Sequence, residues 1–158
     1  MNKSEVIEFL DKSGVKYEIT EHAPVFTIEE MLAANLPYPE AVAKNLFVRD
    51  DKKRNYYLIT VKEERVINLK EFQAQFGTRK LSFASENDLM DILKLIKGSV
   101  TPFGLLNDEE RKVKFFIDKN YAGQIMGIHP NENTATLWIG YEDVIRIVKE
   151  HGNEVTEF

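Results

Sequence analysis

Apolar residues recur along this chain with two different periods, and the places where one period gives way to the other outline a fold. Residues 2–13 carry a helical stripe that stops at Gly14. Thr27 and Glu30 stand at capping-box spacing just before Met31. Asn68 precedes Glu71 by three, with Leu69, Phe72 and Phe76 on one face and Gly77 as the stop. Ser85 precedes Asp88, and Leu89, Ile92, Leu93 and Ile96 then recur at helical spacing, predicting a helix that reaches Ile96. Tyr141, Val144, Ile145 and Val148 form the last helical stripe, closed by Gly152.

Between these stripes lie short runs rich in β-branched and aromatic residues: KYEIT (16–20), NLFVR (45–49), YYLITV (56–61), VKFFI (113–117) and TATLWI (134–139). The polar connection DDKKRN predicts a hairpin, with NLFVR and YYLITV as antiparallel neighbours. The elements alternate too irregularly for a doubly wound sheet. A single α+β domain is expected over residues 1–158, with a curved, mixed, barrel-like sheet surrounded by helices.

Composition narrows the picture without redirecting it. One domain with a proper core fits 158 residues. The chain has no cysteine, which excludes disulfides, thiolate metal sites and a cysteine nucleophile, and suits a reducing cytoplasm. No apolar run approaches the roughly 18 residues of a membrane span, and the start reads as a helix rather than a signal peptide. The net charge of −5 argues against a basic-tail nucleic-acid binder, so a nucleic-acid partner would be held by a local patch. Walker, dinucleotide-binding, HExxH and GxSxG motifs are all missing from the sequence. Three histidines at wide spacing do not make a zinc site, and neither a metal nor a cofactor is expected.

Three segments carry polar residues that capping and packing do not require. In AVAKN, Lys44 stands at the mouth of a core strand. It is either a snorkelling lysine with its head in water or a point charge set for an anionic group. KGSVTPFGLLND (97–108) combines Gly98, Ser99, Thr101 and Gly104, either as plain turn residues or as a loop whose backbone can approach a ligand. In GIHPNENT, His129 is framed by Gly127 and Pro130, as surface decoration or as an acid/base or hydrogen-bonding group.

Taken together, EHAPVFTIEE, AVAKNLFVRD, YYLITV, LSFASENDL, GSVTPFGLLND and GIHPNENTATL occur in the order found in the YbaK/prolyl-tRNA-synthetase-associated editing domains. The resemblance covers essentially the whole chain and runs closest to the free-standing ProX (PrdX) branch of alanyl-tRNA(Pro) deacylases. It implies a cytoplasmic trans-editing hydrolase that cleaves the ester between alanine and the 3′-terminal adenosine of proline tRNA, excluding proline by size.

By the same resemblance, Lys44 and His129 are the catalytic candidates. Lys44 holds the phosphate or ribose end of the adenosine, and His129 shapes the pocket and orients water. Asn45, Gly98, Ser99, Val100, Thr101 and Gly127 are the candidate substrate-binding residues, the 98–101 loop supplying backbone donors. The implied partner is the acceptor end of aminoacyl-tRNA, with transient contact to a prolyl-tRNA synthetase and a monomeric state. The DKKR tip (51–54) is either solvated charge or an acceptor-stem contact. Two other readings stay open: a cysteinyl- or seryl-tRNA deacylase of the same fold, and a non-catalytic aminoacyl-tRNA-binding regulatory module. The cysteine-directed branch reads closer to GGxSPxG in the loop that here is GSVTPFG.

Overall fold

Two sheets, rather than one continuous curved sheet, organise the chain. The computed structural model describes residues 1–158, the side chain of Leu32 excepted. The larger sheet contains β2 (Ala43–Asp50), β3 (Tyr56–Lys62), β4 (Leu81–Phe83), β5 (Val113–Ile117) and β8 (Val155–Glu157), in the spatial order β4-β2-β3-β5-β8. The β2–β3 hairpin is antiparallel as expected, with Lys44 opposite Val61 and Asn45 opposite Thr60. Strand β5 runs parallel to both β3 and β8, so the sheet is mixed. The smaller sheet is an antiparallel trio, β1 (Tyr17–Glu21), β7 (Ala135–Gly140) and β6 (Ile125–Ile128), in the order β1-β7-β6. One isolated parallel bridge, Val42 to Gly127, joins the two sheets. The class is α+β, and the sheets do not close into a barrel.

The side-chain period of two explains how this arrangement buries its apolar residues. On β3, Tyr56 and Leu58 enter the main core, while Tyr57, Ile59 and Val61 enter a second cluster on the opposite face. That double burial is why YYLITV reads as an almost unbroken apolar run. The second cluster is aromatic. Phe72 and Phe76 of α3 (Leu69–Phe76) meet Phe116 and the C-terminal Phe158, with ring centroids 4.7–5.9 Å apart. Helices α1 (Lys3–Lys12) and α5 (Tyr141–His151) cover the main core through Val6, Leu10, Val144, Ile145 and Val148.

Caps behave largely as their sequences predict. The Asn2 and Ser85 side chains each close a full capping box, and Asn68 accepts a bond from the Glu71 amide. The helix expected to reach Ile96 does not. After α4 (Glu86–Asp88) the chain makes one wide turn over Leu89–Leu93, and Lys94 adopts a left-handed conformation (φ 55°). The turn ends there because Leu93 and Leu95 both enter the core. A helix continuing at 3.6 residues per turn would spread these two neighbours about 200° apart. Ile96 is left 57% exposed.

A third, smaller apolar cluster positions the candidate site. Val25, Met31, Leu36, Ala41, Val42 and Trp138 pack together where α2 (Ile28–Ala33) and its lead-in lie over the smaller sheet. Thr27 caps α2 by accepting the Glu30 amide at 3.1 Å. The lead-in is pinned by Asn133, whose side chain donates to the Val25 carbonyl at 2.8 Å and whose carbonyl accepts the Val25 amide at 3.2 Å.

Candidate functional site

A cavity of about 310 Å³ opens at the seam between the sheets. Val42 to Leu46 supply one wall, Gly98 and Val100 a second, Gly127 and His129 a third, and Val25 to Met31 a fourth. Six of the eight residues singled out from sequence therefore meet in one place: Lys44, Asn45, Gly98, Val100, Gly127 and His129. Ser99 and Thr101 lie behind the wall.

Lys44 is half-buried, and among the described residues it forms no ion pair. Its strand neighbour Asn45 also lines the cavity. Asn45 uses its side-chain oxygen to accept a 2.6 Å bond from the buried Thr60 hydroxyl, directly across the β2–β3 ladder. That bond fixes the amide and leaves its NH2 group to point elsewhere.

The two glycines serve different purposes. Gly98 has φ +90°, and a Cβ there would stand 3.0 Å from the Phe26 ring and 3.3 Å from its Cα. Both the conformation and the close approach exclude a side chain. Gly127 lies within strand β6, not in a loop, directly opposite Trp138. A Cβ at Gly127 would fall 2.5 Å from the indole, so glycine is what lets the ring lie flat beneath the backbone. Trp138 is held in turn by a 2.9 Å bond from its indole N–H to Thr20 and by the edge of Tyr38.

The two residues behind the wall, Thr101 and Ser99, behave differently. The fully buried Thr101 hydroxyl donates to the His129 carbonyl at 2.6 Å, joining the 98–101 loop to the 127–130 segment. Ser99 differs: its amide is consumed by the Ile96 carbonyl at 3.1 Å, and its buried hydroxyl has no partner among the described residues. The amides of Gly98 and Val100 have no internal acceptor among the described residues and are available as donors.

His129 donates from Nδ1 to the Ala135 carbonyl at 2.9 Å, which leaves Nε2 as the acceptor in the neutral ring. Burial pushes the His129 imidazole below its ordinary pKa. The Ala135 carbonyl opposes that shift, and the neighbouring His22 adds to it. The two rings stand 6.2 Å apart, and His22 is itself held by the Ala23 carbonyl and Thr136 at 2.9 Å each. His22 and the wall from Val25 to Met31 were not picked out by the sequence reading. Their signals were the EHAPVFTIEE segment of the resemblance, which names no role for them, the Thr27 cap, and an apolar spacing indistinguishable from ordinary packing.

The DKKR tip is placed elsewhere. It sits at the far end of β2, roughly 23 Å of strand from Lys44, and Arg79 clamps Asp51 through two bonds of 2.6 and 3.1 Å. Among the described residues, no group of three or more histidine or carboxylate side chains is placed to hold a metal ion, and no helix is long and apolar enough to cross a membrane.

Comparison with known proteins gives this geometry its context. Residues 22–147 match the aminoacyl-tRNA editing domain family. The "Prolyl-tRNA editing protein ProX" of Acetoanaerobium sticklandii is 46% identical over 152 residues, covering 96% of this chain and 93% of the relative. The mouse "Prolyl-tRNA synthetase associated domain-containing protein 1" is 36% identical over 157 residues, covering 96% and 92%. A solved structure provisionally described as a trans-editing enzyme for prolyl tRNA synthetase superposes with a TM-score of 0.73 at 16% identity, covering 99% of this chain and 96% of the other; at that identity it speaks for the fold alone.

Proposed function

The chain belongs to the aminoacyl-tRNA editing domain family, and from that premise we propose that it removes alanine from mischarged proline tRNA. The observation that carries the reading is convergence: residues from four separate segments line one small cavity, and its lysine has no counter-ion among the described residues. An unneutralised half-buried cation suits a substrate that brings its own negative charge, as a nucleotide does.

The cavity's chemistry is modest, and the substrate asks for little. An aminoacyl ester is already activated, so holding it beside a positioned water and stabilising the oxyanion removes much of the barrier. Lys44 is assigned to the phosphate or ribose of the terminal adenosine, and Asn45 adds a donor beside it. The Gly98 and Val100 amides are the oxyanion donors, with Ser99 and Thr101 supporting them from behind. Neutral His129 offers Nε2 to the attacking water, and the neighbouring ribose hydroxyl assists. Proline is excluded by bulk. A synthetase pocket gains only about 1–3 kcal/mol per missing methylene against the smaller alanine, so a second, narrower sieve is needed. Gly127 pressed on the pinned Trp138 gives that sieve a wall that does not yield.

The test is release of labelled alanine from alanyl-tRNA for proline, beside prolyl, cysteinyl and seryl versions of the same tRNA. Rapid loss of alanine with proline retained is expected. Preferential loss of cysteine or serine would keep the reaction and change the substrate, and binding without loss from any of them would leave a regulatory module.

A further inference from the structure

A second cavity of about 360 Å³ adjoins the first and shares Asn45, Leu46, Gly98 and Val100 with it. Its floor is apolar, built from Phe47 and Leu89 as well as the shared Leu46 and Val100. Its rim has a different character. Phe83, at the end of strand β4, is 64% exposed, which leaves its ring open to a ligand. Glu86 and Lys97 stand at the same rim without a hydrogen bond or ion pair among the described residues. The Ser85 hydroxyl accepts the Asp88 amide at 3.0 Å, which leaves its own proton free to donate.

We infer that this second cavity is the base-binding subsite for the adenine of the substrate's terminal adenosine. The inference rests on the deacylase reading and extends it. If the ester sits in the first cavity, the base is one ribose away, and the shared wall is the place where ribose crosses from one cavity to the other. An adenine ring matches what lines the second cavity. Its face stacks on an exposed phenyl ring. Its exocyclic amine is a donor that Glu86 can accept, its ring nitrogens are acceptors that Ser85 can satisfy, and Lys97 lies outside for the preceding phosphate. The substrate is thus divided at its scissile bond, with the acyl group judged for size on one side and the nucleoside recognised on the other.

The experiment compares alanine release from two otherwise identical alanyl-tRNAs, one ending in adenosine and one ending in an abasic ribose. For the wild-type protein kcat/KM is expected to fall about tenfold or more on loss of the base. Phe83→Ala should bring the adenosine-ended rate down toward the abasic one, closing the gap, and Glu86→Ala should narrow it. Equal rates for the two tRNAs in the wild type, or a full gap persisting in Phe83→Ala, would overturn the subsite while leaving deacylation in place. Release from neither tRNA would instead remove the deacylase reading, and the subsite with it.

Discussion

Strand β2 carries charged residues near both of its ends, and the two ends treat charge in opposite ways. At its exit the buried carboxylate is answered. Asp50 is 1% exposed and accepts bonds from the Arg54 amide at 3.0 Å and the Asn55 side chain at 2.8 Å. Arg49 donates to the Asp50 carbonyl at 2.9 Å and faces Asp88, while Asp51 is gripped by Arg79. At its entrance Lys44 lines a cavity and has no ion-pair partner among the described residues. Buried charge left without a partner costs stability, so the exit serves the fold, and the entrance is where the proposed substrate would supply the missing charge.

The sharpest way to break this contrast is Lys44→Met, which keeps the apolar stem and removes the charge. Deacylation should fall by about 100-fold, the scale of a misplaced substrate, with the melting temperature essentially unchanged. Near-normal activity would show that the lysine only snorkels. Asp50→Ala should do the reverse. The Arg54 amide and the Asn55 side chain lose their acceptor, which costs about 2 kcal/mol and roughly 4–8 °C in melting temperature. Activity per folded molecule should be retained, and a parallel loss of activity at low temperature would erase the distinction between the ends.

A pH titration sharpens the comparison further, because a titratable group stands at each end. The His129 pKa is depressed, chiefly by burial, so the neutral ring persists below its ordinary value. Deacylation should therefore hold through neutrality and fall in acid, with a midpoint below 6.5. At the exit, burial pushes the Asp50 carboxyl up, but its bonds from Asn55, Arg54 and Lys52 outweigh that and hold it below the usual carboxylate value. Its contribution to stability is present above the unfolded carboxylate pKa, near 3.9, and is lost as pH falls through the lower folded value. Activity should thus begin to fail at a higher pH than the one at which the Asp50 contribution to stability is lost, as circular dichroism alongside the assay would show. The smallest effect is expected at the hairpin tip: Lys52→Glu with Lys53→Glu should change kcat/KM by less than twofold at moderate salt, and a large, salt-sensitive loss would make the tip a tRNA contact.

What could be read from sequence depended on whether a residue's role was local. Caps and strand periods are local, and Thr27, Asn68, Ser85, YYLITV and VKFFI all formed as their patterns predicted. Strands β4, β6 and β8 were missed. They are three or four residues long, and partners distant in sequence define them. The site divided along the same line. Lys44, His129 and the glycines stood out because local packing had no use for them. Val25 and Met31 did not, since a cavity wall and a core contact share one spacing. Thr101 was expected to face the substrate, yet it bonds the His129 carbonyl, a partner no spacing reveals.

The lone Val42–Gly127 bridge has a consequence for how such a protein can drift. On the proposed reading, the gauge that would tell alanine from proline sits across the joint where this one bridge links the two sheets. Its opening is kept true by contact, Trp138 against Gly127 and Phe26 against Gly98, rather than by a ladder. Substitutions that loosen either contact would blur discrimination well before they cost the fold, so fidelity is the first property this architecture can lose.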